Sequence, residues 1–135
     1  MRTDRFAAVG PAAFTRLYWC MRVGIACIWL WTAYVSWCVH PHAQSLDWLR
    51  RSGMTYRTEW VFLASCLLDL AMGIASCMLG RAWLWWAQCG LVGAYTLVIV
   101  LALPEFTVHP FGPIVKNIAV VLCLVLLALA DRRRP

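Results

Sequence analysis

Hydrophobic and polar positions fall into long blocks along this chain, and four apolar blocks reach membrane-spanning length: Leu17 to Val39, Trp60 to Leu79, Ala82 to Leu103 and Ile114 to Ala130. A helix of about 20 residues crosses a hydrocarbon core of about 30 Å. The pattern predicts an all-α integral membrane protein, a four-transmembrane-helix bundle forming a single domain over residues 1–135. Tyr18, Trp19, Trp37, Trp60, Trp83, Trp85 and Trp86 lie near predicted span ends, where an interfacial aromatic belt belongs. Trp29 and Trp31 are mid-span exceptions.

Between the first two spans the pattern changes. In Ser45-Leu46-Asp47-Trp48-Leu49-Arg50-Arg51-Ser52-Gly53, Ser45 suits an N-cap and Gly53 a C-terminal stop. A short interfacial helix is predicted there, with Leu46 and Leu49 turned inward. Gly80-Arg81 is a tight hairpin, and the third connection runs through Pro104, Pro110 and Pro113. Pro104 is expected to end the third span, and Pro113 fits the first position of the fourth.

Composition supports this reading. The chain is 63% hydrophobic and 13% charged, whereas soluble domains carry roughly 25% charged residues. The formal charge of +6 does not point to nucleic acid, because most arginines stand just outside the apolar runs, where they set topology. An even number of spans puts both termini on one side, together with Arg2, Arg5, Arg16, Arg81, Arg132, Arg133 and Arg134. Arg50, Arg51 and Arg57 fall on the other. Both termini are therefore expected in the cytoplasm. Asp4 and Pro11, followed by a span-length apolar run, do not form a cleaved signal. The seven cysteines lie in or at the ends of apolar runs without CxxC pairing, so neither a disulfide framework nor a structural zinc site is expected.

Ionisable residues inside a span are costly and face the bundle interior. Arg22, Asp69, Gln88, Tyr95, Lys116 and Asn117 are the candidates for a cavity or ligand site. Ser65, Asp69, Gly73, Ser76 and Gly80 recur at helical spacing, which places Asp69 on a small-residue face where another helix approaches closely. From a rise of about 1.5 Å per residue, Asp69 lies about 15 Å deep, with Arg22 about 8 Å and Lys116 about 21 Å from the cytoplasmic edge. Either cation can reach the carboxylate. Gln88 and Tyr95 share a helical face and can line the same cavity. Lys116, near the positive end of the fourth helix, calls for an anion such as Glu105, Asp69 or a bound acidic ligand, or else snorkels to head groups. His40, Glu105 and His109 are the outer-loop candidates; with His42 they lack zincin presentation, and no metal is expected. No catalytic motif is visible, and polar residues of this kind also serve simply to hold helices together.

Several of these residues carry a resemblance. Pro104, then His109-Pro110-Phe111-Gly112-Pro113, then Lys116-Asn117 resembles the signature of the DoxX-like family of small four-helix bacterial membrane proteins. His40-Pro41 followed by Ser45 and Gly53, Leu68-Asp69-Leu70 followed by Gly73, and Gln88 with Tyr95 are similar too, and the likeness runs from about Arg22 to the end. The resemblance implies a compact multi-pass bundle in the bacterial inner membrane. It further implies quinone-linked redox metabolism, with quinone as the candidate cofactor and a cytosolic NAD(P)-dependent or other redox protein as partner. Two alternatives stand beside it: a small-solute or proton carrier, which four helices without a repeat would support best as a homo-oligomer, and a non-catalytic membrane anchor or assembly protein.

Overall fold

The structure, a computed structural model, describes residues 10–107 and 113–132. The chain forms α1 (Pro11–Tyr34), which runs on as a π-helical turn (Val35–Val39), then α2 (His42–Arg51), α3 (Thr58–Met78) and α4 (Ala82–Ala102). A 3-10 turn (Pro104–Phe106) and α5 (Pro113–Arg132) follow. Among the described residues, four helices are long and apolar enough to cross a membrane: α1 with its π turn, α3, α4 and α5.

Helix boundaries follow local chemistry. Pro11 occupies the first helical position, where its missing N–H costs nothing. α4 stops at Ala102 because Pro104 cannot continue it, and Pro113 opens α5. α2 departs from the sequence expectation. It begins at His42 directly behind Pro41, so Ser45 is a buried residue inside the helix and not its cap. Pro41 and its fixed φ set the start. Gly53, at φ +90, does end the segment, adopting a left-handed conformation that suits glycine.

α1 packs on α3 and α4 packs on α5, while α1 also meets α5 and the α3–α4 contact is sparse. The core centres on Tyr18, Ile25, Trp29, Leu84, Trp85, Val92, Leu124, Leu127 and Ala128. Large apolar side chains such as Val23, Trp31, Leu67, Leu101 and Leu122 face outward, the arrangement that lipid requires. Asp69, Gly73 and Ser76 are buried along one face of α3, as the small-residue spacing predicts. Gly73 is where the α1–α3 approach is tightest. A Cβ built there would come within 2.7 Å of the Leu30 side chain and 3.2 Å of the Leu30 backbone nitrogen.

Gly73→Ala is therefore expected to force α1 and α3 apart and cost about 1–3 kcal/mol. A lowered thermal unfolding midpoint in detergent is the measurement. Gly24→Ala, at a position whose Cβ meets nothing within 4 Å, should leave that midpoint unchanged or raised.

Candidate functional site

The two ends of the bundle are built differently. At the end carrying the termini, polar groups close on one another. Arg22 donates from Nε and Nη2 to the Ser76 carbonyl at 3.1 and 2.9 Å, and from Nη2 to the Cys77 carbonyl at 2.9 Å. These are last-turn carbonyls of α3, which have no intrahelical partner and carry the negative end of the helix dipole. The guanidinium lies over the Trp19 ring, 4.6 Å from its centroid. Gly80 lets the α3–α4 connection come this close, since a Cβ there would sit 2.9 Å from the Tyr18 hydroxyl and 3.0 Å from Arg22 Nη1.

Beside it, Tyr18 donates its hydroxyl to Asp131 Oδ1 at 2.8 Å and Trp85 donates Nε1 to Asp131 Oδ2 at 2.6 Å, joining α1, α4 and α5. Deeper, Trp29 Nε1 donates to Gln88 Oε1 at 2.9 Å and Gln88 Nε2 donates to Ser76 Oγ at 2.8 Å. Arg22 thus binds the end of α3 and not Asp69: its unsatisfied carbonyl partners stand at its own depth, about two helical turns from the carboxylate. Gln88 is fully buried in a closed chain and does not share a cavity with Tyr95.

The α2 end is open. A cavity of about 420 Å³ lies between the π turn, α2, α3 and α4. Its apolar walls are Trp48, Leu49, Phe62, Val98 and Leu103, and its polar lining includes His40, Ser45, Ser65, Asp69 and Tyr95. Tyr95 donates its hydroxyl to Asp69 Oδ1 at 3.2 Å. Asp69, near the middle of α3, therefore takes its partner from α4, while Arg22 turns to the end of α3 and Lys116 is exposed on α5. The π turn brings His40 here: its backbone N–H reaches back five residues to the Val35 carbonyl at 2.8 Å, and Val35, Ser36 and His40 line the cavity. Such turns often mark functional sites. The His40 ring stacks on Trp48 with centroids 4.8 Å apart. Among the described residues its Nε2 is the one buried side-chain nitrogen or oxygen without a hydrogen-bond partner.

The other candidates fall outside this cavity. Lys116 is exposed on α5, on its outward side. Asn117 donates Nδ2 to Thr96 Oγ1 at 2.8 Å and lines a smaller space of about 230 Å³ that Tyr95 also borders. Glu105 pairs with Arg51 at 2.6 Å, both side chains 46% exposed. That pair and the contact of Trp48 with Phe106, 5.4 Å between centroids, strap α2 to the connection that follows α4. His109 lies outside the described residues. All seven cysteines are free, and among the described residues no group of three His, Cys, Asp or Glu side chains is placed to hold a metal. One signal could have pointed to the Tyr18–Trp85–Asp131 cluster: Asp131 stands one residue past an apolar run, level with aromatic residues of two other span ends.

This fold defines a small multi-pass membrane protein with a closed polar end and an open one. The chain belongs to the DoxX-like family, whose model matches residues 26–126. No curated protein and no solved structure matches it.

The strap has a pH dependence of known sign. A hydrogen bond from its own backbone N–H, then the Arg51 guanidinium, holds the Glu105 carboxyl below its ordinary value. A lowered folded-state pKa means the contribution is present above the ordinary carboxylate range and is lost as pH falls through the lowered value. The protection factors of the α2 amides, exchange rates corrected for the intrinsic pH dependence of amide exchange, should therefore fall on acidification below that range. Glu105→Gln should lower them at neutral pH and remove their pH dependence.

Proposed function

We propose that this DoxX-like protein is the small membrane subunit of a quinone-linked redox system and that the α2-end cavity takes a quinone head group. The observation that carries the reading is His40 Nε2, buried and unpartnered beside the Tyr95–Asp69 pair in a space of about 420 Å³. Buried polar atoms are rarely left without partners, so an orphan on a residue that lines a cavity marks where a ligand's polar edge belongs. The donor set fits a quinone: apolar walls for the ring and a few hydrogen-bonding groups for its carbonyls.

Quinone supplies carrier chemistry for two electrons and two protons when bound. This chain's residues do the rest. His40 Nε2 and the Tyr95 hydroxyl offer hydrogen bonds to carbonyl oxygens, the Asp69 carboxylate can hold a proton, and Trp48 and Phe62 exclude water. Electrons come from a separate redox partner, which in the orientation expected from the arginine distribution meets the cavity from the outer face and not from the cytosol. In this reading the protein sits in the bacterial inner membrane with cytoplasmic termini, so the cavity opens near the outer surface. The carrier alternative needs a route to the other side, and the Trp29–Gln88–Ser76 chain interrupts it.

Gentle detergent extraction should recover quinone with the protein, detected in an organic extract. His40→Leu and Tyr95→Phe should each weaken quinone affinity about tenfold, the effect of one lost hydrogen bond in a dry site. Intact protein that carries no quinone and shows no saturable quinone binding overturns the assignment.

A further inference from the structure

A second constellation lies on the lipid-facing side of the α1–α3 pair, separated from the main cavity by Phe62. Trp37 of the π turn lies nearly parallel to Phe62 of α3, with centroids 6.1 Å apart and planes at 13°. His42 of α2 packs on both rings, 5.2 Å from Trp37 and 5.4 Å from Phe62. Its Nε2 donates to the Trp37 carbonyl at 3.0 Å, which fixes the imidazole. Trp60 and Glu59 complete a hollow of about 400 Å³.

Glu59 is exposed, and no hydrogen bond or ion pair among the described residues engages its carboxylate; the ion pair found there joins Arg51 and Glu105. Aromatic faces grouped around a carboxylate are the chemistry that recognises an ammonium group. The hollow also has a continuation. A furrow of about 380 Å³ shares Trp37 and Leu63 with it and runs between α1 and α3 past Leu30, Ala33, Leu67 and Leu70. From Leu63 to Leu70 the rise is about 10 Å, directed along the helices toward the middle of the membrane.

We propose that this face is a lipid site for an amine-headed membrane phospholipid, with the ammonium in the Trp37–Trp60–Glu59 hollow and one acyl chain in the furrow. Position agrees with chemistry: Trp37 and Trp60 stand at the α2 end, at the level where interfacial tryptophans meet head groups. A mostly aromatic hollow edged by Glu59 and His42 and continuous with an apolar furrow suits an amphiphile better than a soluble amine. The site is independent of the quinone reading, since Glu59, Trp60 and Leu67 take no part in the main cavity.

The test uses the full chain in mixed micelles holding equal amounts of phosphatidylethanolamine and phosphatidylglycerol with matched chains, followed by stepwise delipidation and native mass spectrometry. One phosphatidylethanolamine should be retained over phosphatidylglycerol by on the order of tenfold, the combined effect of cation–π and carboxylate contacts. Glu59→Gln and Trp60→Leu should each shrink that preference, whereas Glu105→Gln should leave it intact. Equal retention of the two lipids by the unaltered chain, which needs no variant to fold, would show ordinary annular lipid and overturn the site. A preference that survives both substitutions would also overturn it. Quinone binding, measured on the same preparations, should not change with Glu59→Gln.

Discussion

Arg22 on the last carbonyls of α3 is the contact on which the bundle depends. Within a membrane no water satisfies the open end of a helix, and an unpaired guanidinium there costs several kcal/mol. Each group removes the other's penalty. The consequence reaches beyond the pair, because it fixes α1 against the α3 end and brings Tyr18, Trp85 and Asp131 together beside it. With one end held by polar contacts from all four spanning helices, the other end is free to be hollow. The sparse α3–α4 packing is tolerable for the same reason.

The fold was largely legible in the sequence, and the site only partly. Length and hydropathy located the last three spans to within about two residues at each end because the lipid constraint acts on whole segments, whereas α1 begins at Pro11, six residues before the expected Leu17, because the proline can open a helix ahead of the apolar run. Asp69 and its small-residue face were legible from spacing, since a carboxylate at mid-span must face protein. Its partner was not. Depth alone matched Asp69 with Arg22 or Lys116, but depth says nothing of rotation: Lys116 turns outward, and Arg22 finds backbone carbonyls that no side-chain inventory lists as acceptors. Ser45 misled for a related reason. Its propensity to cap was outweighed by Pro41, which starts α2 four residues earlier.

His40 was legible as a polar residue near a span end and illegible as a cavity residue. What turns it inward is the π turn over Val35–Val39, which leaves no mark on hydropathy. The cavity also depends on α2 lying across it, through Trp48, Leu49 and the Arg51–Glu105 pair, and pairings this distant in sequence carry no local signal.

The π turn has a consequence for how related chains compare. It amounts to one residue more than a regular helix needs to cover the same length, and each residue of a helix turns the chain about 100°. A relative with one residue fewer in this stretch would keep the same hydrophobic span, the same Pro after it and the same overall bundle. Its histidine would nevertheless face a different direction. Two members of the family can thus agree in every apolar block and differ in whether a histidine lines this cavity, and the difference would appear in an alignment as nothing more than a single gap.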